Sequence, residues 1–181
     1  MTALPSPEEA RLSLIGQQYP TTAKSLRLLV PVASFKGALA GIHYAVRRRT
    51  ADQEVDVCLL HVEEPIDQWE ILRTANVQDA QRRQKVEGTL TQVSRCLVAE
   101  GIPFAAFVRS GSTVFTILDA AEQLDCDEIA VPRPRGGWRR IFSRDIVATL
   151  LTRQRGIPIV VVDSDGVPAD EGGGGAGKRR A

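Results

Sequence analysis

The feature that most constrains this fold is an alternation along the chain. Short runs dense in Val, Ile and Leu alternate with segments whose apolar residues recur every three or four positions. Residues 26–32 (LRLLVPV) open the series and residues 157–162 (IPIVVV) close it. Near-continuous apolar runs of this length suit strands buried on both faces, as in a parallel sheet covered by helices.

Between these ends, residues 35–49 place Leu39, Ile42 and Val46 at spacings of three and four, then finish in Arg47-Arg48-Arg49. Cationic side chains suit a helix C-terminus, where the backbone dipole is negative. Residues 55–62 (VDVCLLHV) read as a second strand; beyond the loop EEPIDQW, Val86, Leu90, Val93 and Leu97 mark a long helix ending near Gly101. Residues 103–108 form a third strand, Ser112 can cap a helix carrying Val114, Ile117, Leu118, Ala121 and Leu124, and residues 127–131 form a fourth strand. Ile141, Phe142, Ile146, Val147, Leu150 and Leu151 mark a fourth helix. The pattern predicts an α/β fold: an open five-stranded parallel sheet sandwiched by helices, with right-handed crossovers and its ligand cleft at the carboxyl ends of the strands.

The domain organisation follows from where this pattern stops. Residues 1–24 form an N-terminal arm in which Ser6-Pro7-Glu8-Glu9 makes a capping box for a short helix. Residues 25–163 hold the α/β domain. Residues 164–181, with four consecutive glycines and few apolar side chains, read as a disordered Gly-rich tail beginning at about Asp165, because ordering them costs entropy that burial does not offset.

Composition narrows the function classes. With 23 basic and 22 acidic residues, no global field draws the chain to nucleic acid or to anionic lipid. No apolar run reaches the roughly 20 residues needed to span a bilayer, and the N-terminus lacks the layout of a secretory signal, so a cytoplasmic location is expected. Cys58, Cys96 and Cys126 are widely spaced with no C-x-x-C pair, which suggests buried thiols rather than a disulfide framework or a zinc site.

The most unusual stretch is VPRPRGGWRRIFSRD, residues 131–145, with five arginines, two prolines and two adjacent glycines directly after the fourth strand. Its position at a strand's carboxyl end is where a phosphate-gripping loop belongs. One basic loop on a nearly neutral chain is a weak nucleic-acid footprint, and a solvated loop with Trp138 partly packed is the simpler reading.

Three stretches together resemble the universal stress protein (UspA-type) family over roughly residues 26–162. LRLLVPVASFKGALAGIHYA resembles its opening strand and helix, VCLLHVEEP its second strand with an L-H-V ending, and DEIAVPRPRGGWRRIFSRDIVATLLTRQRGIPIVVV its closing β-α-β unit. The resemblance implies a Rossmann-like, adenine nucleotide alpha hydrolase-like fold. In the family's nucleotide-binding members the closing unit reads G-x-x-G, nine residues, then G-S or G-T, because bare backbone must approach the phosphates and a hydroxyl helps hold them. Aligned from the shared IPIVVV ending, this chain has Pro132 and Arg135 at the leading glycine positions and Asp145-Ile146 at the trailing pair. Proline removes an amide donor, arginine adds bulk, and aspartate puts a negative charge where an anion would sit. Where those members end the first strand with a ribose-contacting aspartate, this chain has Ala33.

The resemblance thus points to a candidate nucleotide or anion cleft formed by Ala33, Val62, Val131, Arg133, Arg135, Gly136, Gly137 and Arg139, with a degenerate phosphate loop. No catalytic residue is assigned. His61, near the cleft, has Glu63 and Glu64 beside it but no converging nucleophile or metal set; His43 has no partner at ligand spacing; and Ser110-Gly111-Ser112 lacks the G-x-S-x-G pattern. The apolar last strand (Ile157, Ile159, Val160, Val161, Val162) is an edge that proteins normally cover or pair, and the resemblance implies a homodimer formed by antiparallel pairing of that strand across a two-fold axis. The expected function is that of a non-enzymatic stress-response or regulatory dimer, with no cofactor, no metal and an unidentified protein partner. Two alternatives stand beside it: an ATP-binding or weakly ATP-hydrolysing protein that uses main chain at Val62 and Val131 for the base, and a dimeric adaptor that recruits a partner through its arm or tail.

Overall fold

A computed structural model describes residues 25–64, 77–134 and 144–169 of the chain. The capping box of the arm, Trp138, Ile141, Phe142 and the glycine run of the tail lie outside these residues. The elements are β1 (Leu26–Pro31), α1 (Phe35–Thr50), β2 (Val55–Glu63), α2 (Val77–Ala99), β3 (Phe104–Ser110), α3 (Thr113–Gln123), β4 (Glu128–Pro132), α4 (Arg144–Thr152) and β5 (Ile159–Val162). The strands form one parallel sheet in the order β3-β2-β1-β4-β5. The predicted open five-stranded parallel sheet, sandwiched by helices, is thus the observed architecture.

Alternation along each strand divides the core into two halves. Leu28 and Val30 of β1, Val57 and Leu59 of β2 and Ala130 of β4 meet Ile42, Leu90, Val93 and Leu97 on the face covered by α1 and α2. Leu29, Cys58, Leu60, Ile129 and Val131 meet Ile117, Leu118, Ala121, Val147 and Leu150 on the face covered by α3 and α4. Fully burying one such Leu or Ile stabilises the fold by about 1.5–3 kcal/mol. The central strands are therefore apolar at successive positions rather than at alternate ones.

Two contacts fix α1 against the sheet. A Cβ on Gly41 would stand 2.6 Å from Cγ1 of Val30, so only glycine lets the helix backbone come this close to β1. At the helix's other end, the Tyr44 hydroxyl donates to Glu128 Oε2 at 2.7 Å and Arg48 Nη2 donates to Glu128 Oε1 at 3.0 Å, pinning α1 to the start of β4.

Several expectations need correction. The tail was expected to lose order at about Asp165, yet the chain turns tightly at residues 163–166 and comes back along β5. There Val162 pairs antiparallel with Pro168, and the Ala169 amide donates to Val161 O at 2.8 Å. The local sequence Asp163-Ser164-Asp165-Gly166 is a turn signal that the glycine run beyond it masks in a composition reading. Ser112 occupies the N-cap of α3 but makes no side-chain capping bond. Leu151 lies in the fourth helix as expected but is 44% exposed, and Cys96, expected to be buried, is only half-buried against the core. Cys58 and Cys126 are buried free thiols; the Cys126 thiol donates toward the Cys58 sulfur, which lowers the Cys58 pKa and, together with burial, pushes the Cys126 thiol up.

Candidate functional site

In an open parallel sheet the natural ligand crevice lies where the strand order reverses, here between the carboxyl ends of β1 and β4. The local sequence shapes that crevice in two ways. Pro31 ends β1; even-numbered residues of this strand bond to β2 (Leu26 N to Glu54 O, Val32 N to Leu60 O), so an amide at residue 31 would face β4, and proline has none. The pairing of β1 with β4 ends at Leu29–Ile129. Beyond it, the ring of Pro132 at the end of β4 comes up against the first turn of α1, with its Cγ 3.6 Å from where a Cβ of Gly37 would lie.

The helix start on the other wall is well formed. Ser34 has an extended backbone (φ −157°, ψ 157°), and its Oγ accepts from the Gly37 amide at 3.2 Å, occupying one of the donors a helix N-terminus would offer an anion. Ala33 is half-buried beside the core face of α3 and α4 and carries no polar group. The negative Asp145 sits exposed in the first turn of α4.

The remaining predicted residues divide by face and depth. Val131 is fully buried in the core, and Val62 packs at the edge of the same cluster, so each offers only main chain to the cleft. Arg133 is exposed; its amide donates to Val162 O at 2.7 Å, extending the β4–β5 ladder by one bond. Arg135, Gly136, Gly137 and Arg139 lie outside the described residues. The structure thus brings Ala33, Val131 and Arg133 to the crevice, and places Val62 one strand farther along the same rim.

Two polar contacts on this rim were not foreseen. His61 Nδ1 donates to the carbonyl of Val32 at 2.7 Å, which ties the end of β2 to the end of β1. Thr113 Oγ1, buried at the start of α3, donates to Glu64 Oε1 at 2.5 Å. The Gly111 amide donates to Glu63 O at 2.9 Å, so β2, β3 and α3 are stitched together just past the strand ends. The L-H-V ending was the only sequence signal for the first contact; nothing local signals the second, since 49 positions separate its partners.

Among the described residues no group of His, Cys, Asp and Glu could hold a metal ion. No described helix is long and apolar enough to cross a membrane.

A doubly covered parallel sheet with its crevice between β1 and β4 defines a Rossmann-like α/β domain. The model of the universal stress protein family matches residues 25–163, and the chain belongs to that family. Among solved structures it is similar to the hypothetical protein MJ0577, with a TM-score of 0.60 and 16% identity over 78% of this chain and 97% of that one. It is also similar to the universal stress protein UspA from Lactobacillus plantarum (TM-score 0.57, 15% identity, 78% and 99% of the two chains). A third is a universal stress protein family protein from Arabidopsis thaliana solved with AMP bound (TM-score 0.52, 16% identity, 81% and 94%). At these identities the likeness is one of fold. A comparison with curated protein sequences finds no match.

Proposed function

We propose that this chain is a non-enzymatic stress-response or regulatory protein of the cytoplasm, acting by contact with other proteins, with a phosphate loop that no longer holds nucleotide. The observation that carries this reading is Pro132. Its ring lies against the first turn of α1 at the point where the sheet order reverses, and as proline it brings no amide to a phosphate. Asp145 at the head of α4 adds repulsion: a carboxylate beside a phosphate costs Coulomb energy that the helix end would otherwise return as attraction. Ala33 gives a ribose nothing to bond with.

In this reading two copies pair through the edge strand β5, where Ile159 and Val161 direct backbone groups away from β4. A homodimer built on that edge, serving as a scaffold for a protein partner, completes the proposal.

The second reading is that of a nucleotide-binding protein, favoured by the AMP-bound Arabidopsis structure of the same fold. Under it, main chain at Val62 and Val131 receives the base and the arginine loop replaces the lost glycines. Mass spectrometry of the small molecules released when the freshly purified protein is denatured separates the two. The proposed reading expects no adenine nucleotide above background; stoichiometric AMP or ATP would replace it with the second reading.

A further inference from the structure

The return of the chain over residues 163–169 is a built contact. The Asp163 carboxylate accepts from the amides of Asp165 and Val167, each at 2.9 Å, which closes the turn from inside. Gly166 adopts φ +74°, and a Cβ there would lie 2.3 Å from the backbone nitrogen of Tyr44 and 2.4 Å from the carbonyl carbon of His43, so the turn docks directly onto α1. His43 Nδ1 donates to the carbonyl of Ser164 at 2.7 Å, holding the turn from the helix side.

The docked turn lays residues 167–169 along the outer edge of β5. Within β5 the carbonyls of Pro158 and Val162 accept from β4, so by alternation residues 159, 161 and 163 face outward. Two of these three are used by the chain itself: Val161 O accepts from Ala169 N at 2.8 Å, and Asp163 N donates to Val167 O at 3.0 Å. Among the described residues, Ile159 and the amide of Val161 are left without a backbone partner on that edge.

We infer that residues 163–169 form a latch that caps the β5 edge and competes with a second copy of this chain for it, so that self-association through β5 requires the latch to release. The argument rests on the proposed reading that copies pair through β5. A second strand running along the same edge needs the space that residues 167–169 fill, and the latch already engages the Val161 carbonyl and the Asp163 amide. The occupant that displaces the latch is the same strand from another copy, because its extended backbone can satisfy the whole edge, Ile159 included.

The test is sedimentation velocity on the full chain and its variants across a concentration series. Gly166→Val removes the docking of the turn on α1, and Asp163→Ala removes its two internal bonds; the second, at a half-buried position, covers the case in which the first does not fold. Either variant is expected to lower the dimer dissociation constant at least about tenfold, the scale of one or two lost hydrogen bonds. Adding Ile159→Pro, which removes an outward-facing amide without touching the bonds to β4, is expected to restore the wild-type value. A latch variant that associates no more tightly than wild type, or whose gain survives Ile159→Pro, overturns the latch. A wild type that already dimerises tightly and is dissociated by Ile159→Pro also overturns the latch while keeping the pairing reading. Folded latch variants that stay monomeric at all concentrations remove the pairing reading and the latch together.

Discussion

Pro132 and Gly37 face each other across the point where the sheet reverses its order, the proline Cγ standing 3.6 Å from the place a Gly37 Cβ would take. Gly37 lies in the first turn of α1 and its amide is held by Ser34 Oγ. Pro132 therefore brings a ring rather than an amide to this side of the crevice, and the Gly37 amide is already taken by the cap on the other.

Restoring the pattern of the nucleotide-binding relatives should therefore restore binding. A chain carrying Ala33→Asp, Pro132→Gly, Arg135→Gly, Asp145→Gly and Ile146→Ser is expected to bind ATP with a Kd of about 1 mM or tighter, and the parent is expected to bind none. Equilibrium dialysis with labelled ATP checks this. A folded variant that still binds nothing would mean the crevice is closed by more than these five side chains.

The close approach of α1 to β1 yields a prediction whose sign changes with context. Gly41→Ala gains about 1 kcal/mol of helix propensity but forces a methyl to 2.6 Å from Val30 Cγ1, an overpacking that costs about 1–3 kcal/mol. The single substitution should lower stability in urea unfolding. In a Val30→Ala background, where the obstructing methyls are gone, the same substitution should raise it. A loss of similar size in both backgrounds would contradict the packing account.

The Tyr44–Glu128–Arg48 group predicts a cost without a change of shape. Tyr44→Phe keeps the ring in its packing but removes the hydroxyl from a half-buried carboxylate, leaving that oxygen with one fewer donor. Bonds to charged groups are worth about 1.5–3 kcal/mol, so the denaturation midpoint should fall accordingly with the slope unchanged. A loss below about 0.5 kcal/mol would show that water replaces the hydroxyl.

The latch predicts a pH response. Backbone bonds from Val167 and Asp165 hold the Asp163 carboxyl below its ordinary range, aided by the charges of Arg133 and Arg47. A carboxyl whose folded pKa is depressed contributes stability that is fully present above the unfolded value of about 3.9 and is lost as pH falls through the folded value. The amide resonances of Asp165 and Val167 should therefore move toward random-coil positions as pH is lowered below about 4. Asp163→Asn, which keeps an acceptor oxygen, should abolish that dependence; an unchanged titration in the variant would assign the response to another group.

The fold was legible in the sequence because parallel strands buried on both faces leave continuous apolar runs, and all five runs appear in the sheet as expected. The strand order, with β4 crossing to the far side of β1, left no local trace in the sequence. The latch was not foreseen because its decisive features are pairwise: Gly166 is specified by the backbone of His43 and Tyr44, more than a hundred positions away, and Ser164 is held through its carbonyl rather than its side chain. Pro31 and Pro132 illustrate the same limit. Each is visible as a missing amide, but only the β1–β4 register shows that both missing donors belong to one crevice.

The measurement that tests the central claim most directly is calorimetric titration of the purified, nucleotide-stripped chain with ATP and magnesium, and separately with AMP. The proposed loss of nucleotide binding predicts no binding heat above dilution for either ligand. Saturable heat with a micromolar Kd would contradict it, and would identify the arginine loop as a rebuilt phosphate site.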